Sequence, residues 1–224
     1  NPDSTCGLKV DGTAECWGPI NGKGGLTSPV GSAFTKIANG NSHVCGLKPN
    51  GSVECWGDNS GGQLNMPSGV TFKDMAAANQ HTCGLKTDGT VVCWGSDNGG
   101  VVTTAPAGNN FTRISVGGPS LACGLKTDGT IVCWGGDQGY GAATPPPGVT
   151  FSSISVGDSV VCGVKTDGHA QCWGNPETGQ TISPSNITFT QVSAGGQHTC
   201  GIAIDDTIRC WGENGYSQAP QLIP

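Results

Sequence analysis

Apolar and polar positions alternate with a period of two over short runs, and the runs recur along the chain. In Cys83-Gly84-Leu85-Lys86-Thr87-Asp88-Gly89-Thr90-Val91-Val92-Cys93-Trp94-Gly95, residues Cys83, Leu85, Val91 and Cys93 fall on one face of an extended ribbon, and Gly84, Val92 and Trp94 on the other. Between the two runs, Lys86-Thr87-Asp88-Gly89 fits a type I turn followed by a residue of positive φ, where glycine carries no Cβ penalty. Taking Thr87-Asp88-Gly89 as the loop opposes 85 with 91, 84 with 92 and 83 with 93, so the two cysteines face each other. Their pair is of the non-hydrogen-bonded kind, with Cα atoms about 4.5 Å apart. A disulfide tolerates that spacing. With apolar groups on both faces, such a hairpin must be sandwiched between neighbours. The glycine beside each first cysteine is expected to leave a hollow for the tryptophan of the same hairpin.

The unit occurs six times, at 6–18, 45–57, 83–95, 123–135, 162–174 and 200–212, with a ten-residue cysteine step in every copy. The predicted bridges are Cys6–Cys16, Cys45–Cys55, Cys83–Cys93, Cys123–Cys133, Cys162–Cys172 and Cys200–Cys210. Copies two to six carry an additional short strand before the hairpin, at 34–37, 72–75, 111–114, 151–154 and 189–192, where Phe and an aliphatic residue stand three apart. The first copy lacks it. In the sixth, Asp206 replaces the turn glycine and must take positive φ. After each Cys-Trp-Gly comes a polar loop ending in proline, the part that differs most between copies. No segment shows helical periodicity. Three or four short strands per copy, repeated radially, predict an all-β fold: one β-propeller domain over 1–224, six blades with one intra-hairpin disulfide each, or an incomplete seven-bladed ring.

The 39 glycines and 14 prolines fall at fixed repeat positions and mark turns, not disorder. An even count of twelve cysteines at strict spacing, with no CxxC knuckle and no Cys/His mixture, implies an oxidising, extracellular compartment and no metal site. A net charge of −6 argues against nucleic acid or an anionic membrane surface as partner. No apolar run approaches the ~20 residues of a spanning helix, so this segment is not expected to insert in a membrane. The opening residues show no signal-peptide pattern, which fits a processed product.

The repeat reads Ile/Val-x-x-Gly-x-x-His-x-Cys-Gly-Leu-Lys-x-Asp-Gly-x-Val-x-Cys-Trp-Gly-x-Asn-x-x-Gly-Gln, and over essentially the whole chain it resembles that of the regulator of chromosome condensation superfamily of β-propellers. The cysteine-bearing version is similar to secreted bacterial repeat proteins and to the crinkly-type ectodomains of plant receptor kinases. The spacing of Gly62-Gln63, Pro67 and Gly69-Val70 also resembles the propeller-type β-lactamase inhibitor protein. The resemblance implies a propeller, usually of seven blades. The founding member's nucleotide exchange and chromatin contact do not suit an acidic, disulfide-bridged chain.

Candidate chemistry is sparse. His43, His81 and His198 sit two residues before a first cysteine, a template position that reads as structural, bonding a neighbouring turn; His169 is elsewhere. Lys9, Lys48, Lys86, Lys126 and Lys165, each followed two residues on by Asp or Asn, predict a rim of alternating charge, a solvated set of turns in preference to a polyanion site. Asp58, Asp97 and Asp137 follow Trp-Gly in separate copies and read as loop caps, not as a glycosidase pair. No nucleophile, phosphate loop or calcium loop is found, so no enzyme activity and no cofactor are expected. All six tryptophans and five phenylalanines occupy template positions and are expected between blades, which leaves Tyr140 and Tyr216 free in the variable loops. The expected binding residues are Tyr140, Tyr216, Asn59, Asp58, Gln138 and Asn214, for a protein partner in preference to a glycan. Asn50, Asn110 and Asn186 begin glycosylation triplets. The unmatched first copy leaves an open blade edge suited to self-association. The chain reads as a secreted or cell-surface binding module, with a lectin-like propeller or a structural subunit of an extracellular assembly as alternatives.

Overall fold

The computed structural model describes residues 5–17 and 27–215. They form six antiparallel sheets in sequence order, one per repeat. Blade 1 has two strands, β1 (Thr5–Leu8) and β2 (Ala14–Trp17). Each later blade has three: β3 (Lys36–Asn39), β4 (His43–Leu47) and β5 (Val53–Gly57); β6 (Phe72–Ala78), β7 (His81–Lys86) and β8 (Val91–Gly95); β9 (Phe111–Gly117), β10 (Leu121–Lys126) and β11 (Ile131–Gly135); β12 (Phe151–Val156), β13 (Val160–Lys165) and β14 (Ala170–Gly174); β15 (Phe189–Ala194), β16 (His198–Ala203) and β17 (Ile208–Gly212). The first strand of each three lies innermost, and β3, β6, β9, β12 and β15 contact one another in turn.

The hairpin register follows the alternation. Cys83 opposes Cys93, Gly84 opposes Val92 and Leu85 opposes Val91. All six predicted disulfides are formed, with Cα atoms 4.0 to 4.1 Å apart. Gly89 closes its turn at φ 86°, and Asp206 takes the same region at φ 63°. The inner strands run further than the Phe-to-aliphatic stretch suggests, and a register shift between Phe72 and Asp74, repeated at Phe151/Ser153 and Phe189/Gln191, accounts for the broken alternation. A bulge adds one residue, so that Phe and the aliphatic residue three positions on both turn inward. A fourth strand forms in none of the described blades; the segment after Trp-Gly is turns, with one short 3-10 helix at Asn98–Gly100.

Between blades, the cysteine face of one packs on the aromatic face of the next. Cys83, Leu85, Val91 and Cys93 of blade 3 share a core with Phe111, Ile114, Val116 and Trp134 of blade 4. The same pairing builds the four other interfaces, from Cys6 and Ala14 against Phe34 and Trp56 to Cys162 and Val164 against Phe189 and Trp211.

The hollow above each glycine is filled differently from the sequence expectation. It is the inner-strand phenylalanine, not the tryptophan, that enters it. A Cβ on Gly84 would lie 2.4 Å from the Phe72 ring, and Gly46, Gly124, Gly163 and Gly201 meet Phe34, Phe111, Phe151 and Phe189 in the same way. The tryptophan then packs on the phenylalanine, ring centroids 5.5 to 6.5 Å apart. Blade 1 has no such phenylalanine among the described residues. There Trp17 leans over Gly7 and stays 57% exposed, against the expectation that every tryptophan is packed between blades.

These two glycines give a paired test. Gly84→Ala must displace a buried ring and should cost roughly 1–3 kcal/mol as overpacking. Gly7→Ala meets only an exposed indole 3.1 Å away and should stay within about 0.5 kcal/mol. Urea unfolding with the disulfides intact reads both.

A candidate recognition face

The strand directions give the propeller two unlike ends. The inner-to-middle turn and the start of the Trp-Gly loop lie together, since His43 pairs with Gly57 and the Asp58 N–H donates to the Ser42 carbonyl at 2.8 Å. This is the loop face. The Lys-x-Asp-Gly turns lie at the opposite end, where the Phe72 N–H donates to the Gly51 carbonyl at 2.7 Å and ties one blade's turn to the next blade's inner strand. At that end the lysines meet carboxylates of their own hairpin: Lys9 with Glu15 and Lys48 with Glu54 at 2.8 Å, Lys165 with Asp167 at 2.8 Å. Asp11, Asp88, Asp128 and Asp205 each accept from the Thr two residues on, which lowers their carboxyl pKa below the usual value. Lys9, Lys48 and Lys165 on this rim are thus held in local ion pairs.

On the loop face the template aspartates cap their loops as expected. Asp97 accepts from the Val102 and Thr103 N–H groups at 2.7 and 3.0 Å, Asp137 from the Gly139 N–H at 2.9 Å, and Asp58 from Ser60. Asn59 holds its loop by accepting from the Leu64 N–H at 2.8 Å. Each loop is anchored from the next blade by an indole N–H: Trp94 donates to the Gln63 carbonyl, Trp134 to Val101, Trp173 to Ala142 and Trp211 to Gln180, at 2.9 to 3.0 Å. Trp56 Nε1 has no hydrogen-bond partner among the described residues. The fixed frame thus reaches into the variable segment and holds its middle.

Among the candidate binding residues, Tyr140 stands 42% exposed on the blade 4 loop and Asn214 is exposed on blade 6. Tyr216 lies outside the described residues. Gln138, at φ 55°, donates from Nε2 to the Asp158 carbonyl at 3.3 Å and so borders the axis. The described candidates share the loop face but come from three blades, Asp58 and Asn59 from blade 2, Gln138 and Tyr140 from blade 4 and Asn214 from blade 6. Asn50, Asn110 and Asn186 are exposed; Asn50 accepts from Ser52 of its own triplet.

Two cavities open on this face. One, of about 730 Å³, lies on the axis and receives the inner-turn residues of blades 2 to 6. Its walls are small because consecutive inner turns meet backbone to backbone: a Cβ on Gly117 would lie 2.2 Å from the Gly157 carbonyl oxygen, and one on Gly157 2.0 Å from that of Gly195. The second, of about 570 Å³, runs outward between blades 5 and 6 and shares Asp158, Gly196 and His198 with the first. Asp158, Glu177 and His198 were not among the sequence candidates. The signal for the two acids was their departure from the template: no other described inner turn carries an acid, and Glu177 stands two residues beyond the capping position. No group of three or more metal-ligating side chains occurs among the described residues.

The template histidines divide. His43 is buried, its Nε2 is hydrogen-bonded to Thr82 Oγ at 2.8 Å on a strand of the next blade, and the Asn79 backbone in that blade's inner turn also acts on its ring. His81 is also buried, and neither ring nitrogen has a hydrogen-bond partner among the described residues. His198 is half-buried and lines both cavities. Burial pushes the imidazoles of His43 and His81 down to about 4, that of His43 also through its neighbour His81. In the unfolded chain both rings take a proton near pH 6.5. The unfolded state therefore binds more protons between about pH 4 and 6.5, and stability falls as pH drops through that window, by on the order of 3 kcal/mol per ring. His81→Leu, the residue that Leu121 supplies in blade 4, should flatten this slope without loss at neutral pH. Urea midpoints at neutral and mildly acidic pH check it.

Three stretches, residues 34–63, 72–100 and 189–218, match the regulator of chromosome condensation (RCC1) repeat. No curated protein sequence matches the chain. Among solved structures, the entire ectodomain of the receptor kinase CR4 from Physcomitrella patens superposes with a TM-score of 0.80 at 29% identity, over 94% of this chain and 59% of that one. This chain therefore spans less than two thirds of that ectodomain's length. The crinkly ectodomain of the Arabidopsis thaliana receptor kinase ACR4 gives a TM-score of 0.75 at 25% identity, over 94% of this chain and 78% of that one. Prp20p of Saccharomyces cerevisiae, at 16% identity and a TM-score of 0.65 over 79% of this chain and 56% of that one, shares the fold alone.

Proposed function

Since the chain is an RCC1-like β-propeller, we propose that it is a secreted or cell-surface, non-catalytic module that recognises a protein through its loop face. The observation that carries this reading is the division of labour within each repeat. The hairpin, its disulfide and its indole N–H bond recur, while the loops they hold differ from blade to blade and present Tyr140 and the two cavities on one side. Recognition by variable loops on a rigid frame is the common use of such an arrangement. Six disulfides fit an oxidising compartment. The similar structures are described as receptor ectodomains, and the Prp20p structure as concerning binding to Gsp1p and histones. The test is a screen of the purified chain against secreted protein domains and a glycan array in parallel. A protein ligand whose affinity drops about tenfold on Tyr140→Ala, the scale of one aromatic anchor, is expected. Binding to glycans alone overturns the reading.

A second reading, self-association, is favoured by the two end faces. Ile202 and Ile208 of blade 6, 38% and 63% exposed, occupy positions where Leu85 and Val91 are buried in blade 3, and Trp17 is the matching aromatic face of blade 1. A second copy set head to tail would repeat the pairing already present between blades. Mass measured in solution should rise with concentration and stop rising on Ile208→Asp; a monomer throughout removes this reading.

A further inference from the structure

Formal charge is divided between the two ends of the propeller. Every described lysine and arginine lies in or beside a hairpin turn: Lys9, Lys48, Lys86, Lys126 and Lys165 in the turns, and Lys36, Lys73, Arg113 and Arg209 on the strand ends next to them. Nine described acids share that end, so it carries no net charge. The remaining described acids, Asp58, Asp97, Asp137, Asp158, Glu177 and Glu213, all lie on the loop face, where no described residue is Lys or Arg. The net charge of the described residues, −6, thus falls on the loop face.

The charge is also shaped. Asp158 reaches from blade 5 onto blade 6, its Oδ2 2.9 Å from where a Cβ on Gly196 would stand, and forms the wall between the two cavities. Across the second cavity the Glu177 loop is set by two side chains that are themselves buried. Asn175 donates from Nδ2 to Glu177 Oε2 at 3.1 Å, and Gln180, 1% exposed, accepts the Thr178 N–H at 3.0 Å. These contacts position the Glu177 carboxylate without neutralising it. The rest of the second cavity's lining is amide, hydroxyl, Gly196 and the His198 imidazole, with no Lys or Arg.

We propose that the loop face docks a cationic, Arg/Lys-rich segment of a partner protein, with one basic side chain seated in the cavity between Asp158 and Glu177. Carboxylates and amide oxygens converging on a cavity supply the acceptors that a guanidinium or ammonium donates to. Polyanions, anionic membranes and nucleic acid are repelled from the same face. The field of the outer acids, Asp97 and Asp137 among them, brings the segment in, and the cavity fixes its register. The inference rests on the recognition reading above and names the chemistry of its partner.

The experiment compares equal charge changes on opposite ends. The probe is a fluorescent peptide of repeated Arg-Gly-Lys-Gly, with a Glu-Gly peptide as its control, followed by polarisation at low and physiological salt. One variant carries Asp97→Asn, Asp137→Asn, Asp158→Asn and Glu177→Gln. The other carries Asp11→Asn, Asp88→Asn, Asp128→Asn and Asp167→Asn in the hairpin turns, where copy two already has Asn50. Both remove four charges. The loop-face variant should lose about tenfold in affinity, the sum of a few exposed charge pairs, and the turn variant should bind as the parent does. Amide chemical shifts of the unaltered protein should move at Asp158, Glu177 and Gly196 on titration, which reads the site even where a variant folds poorly. Equal losses in both variants, or shifts spread over both ends, overturn the inference as mere bulk charge. If the peptide does not bind while a protein ligand still depends on Tyr140, the cationic chemistry fails and the recognition reading stands.

Discussion

The structure depends on one contact, a phenylalanine ring laid on a glycine. A blade is a hairpin with a third strand beside it, and a hairpin with apolar groups on both faces has no stable existence alone. The glycine next to each first cysteine leaves room for the inner-strand phenylalanine, and Trp56, Trp94, Trp134, Trp173 or Trp211 packs on that ring. This joins the inner and outer strands of a blade and gives it an aromatic face that matches the cysteine and aliphatic face of the blade before it. Blade 1 shows the consequence of its absence. Without a phenylalanine among its described residues, Trp17 turns onto Gly7 and remains largely in solvent.

The same tryptophans link the frame to the recognition face. The indole N–H groups of Trp94, Trp134, Trp173 and Trp211 donate to carbonyls within the preceding blade's variable segment, so those loops are held from the side by a repeated bond while their tips vary. At the axis, inner turns close enough to exclude side chains at Gly117 and Gly157 leave a cavity floored by backbone. Rigid support beneath variable loops, an axial opening and one-sided charge all follow from a hairpin that always points its Lys-Asp-Gly turn the same way.

Where sequence reasoning went astray, the physical reasons are local. The hollow above the glycine was given to the tryptophan because the two are neighbours across the hairpin; the phenylalanine that takes it comes from another strand, turned inward by a bulge that alternation alone does not place. The histidine position was read as bonding a turn. His43 bonds a strand of the next blade beside that blade's Asn79 turn, and His81 is buried without a hydrogen-bond partner among the described residues. Asp158 and Glu177 were passed over because a search for paired carboxylates along the chain does not see that an inner turn and an outer loop of blade 5 line one cavity.

What the sequence by itself determined is whatever a single hairpin decides: the ten-residue cysteine step, the opposed disulfides, the positive φ at Gly89 and Asp206, and the propeller that a repeat of this length must build. These are local consequences of alternation and turn chemistry, repeated until no other reading is left. The tertiary structure alone decided which residues from different repeats share a surface. Charge segregation, the cavity between blades 5 and 6 and the exposure of Trp17 all depend on where the ends of separate strands meet in space, and no spacing along the chain encodes that.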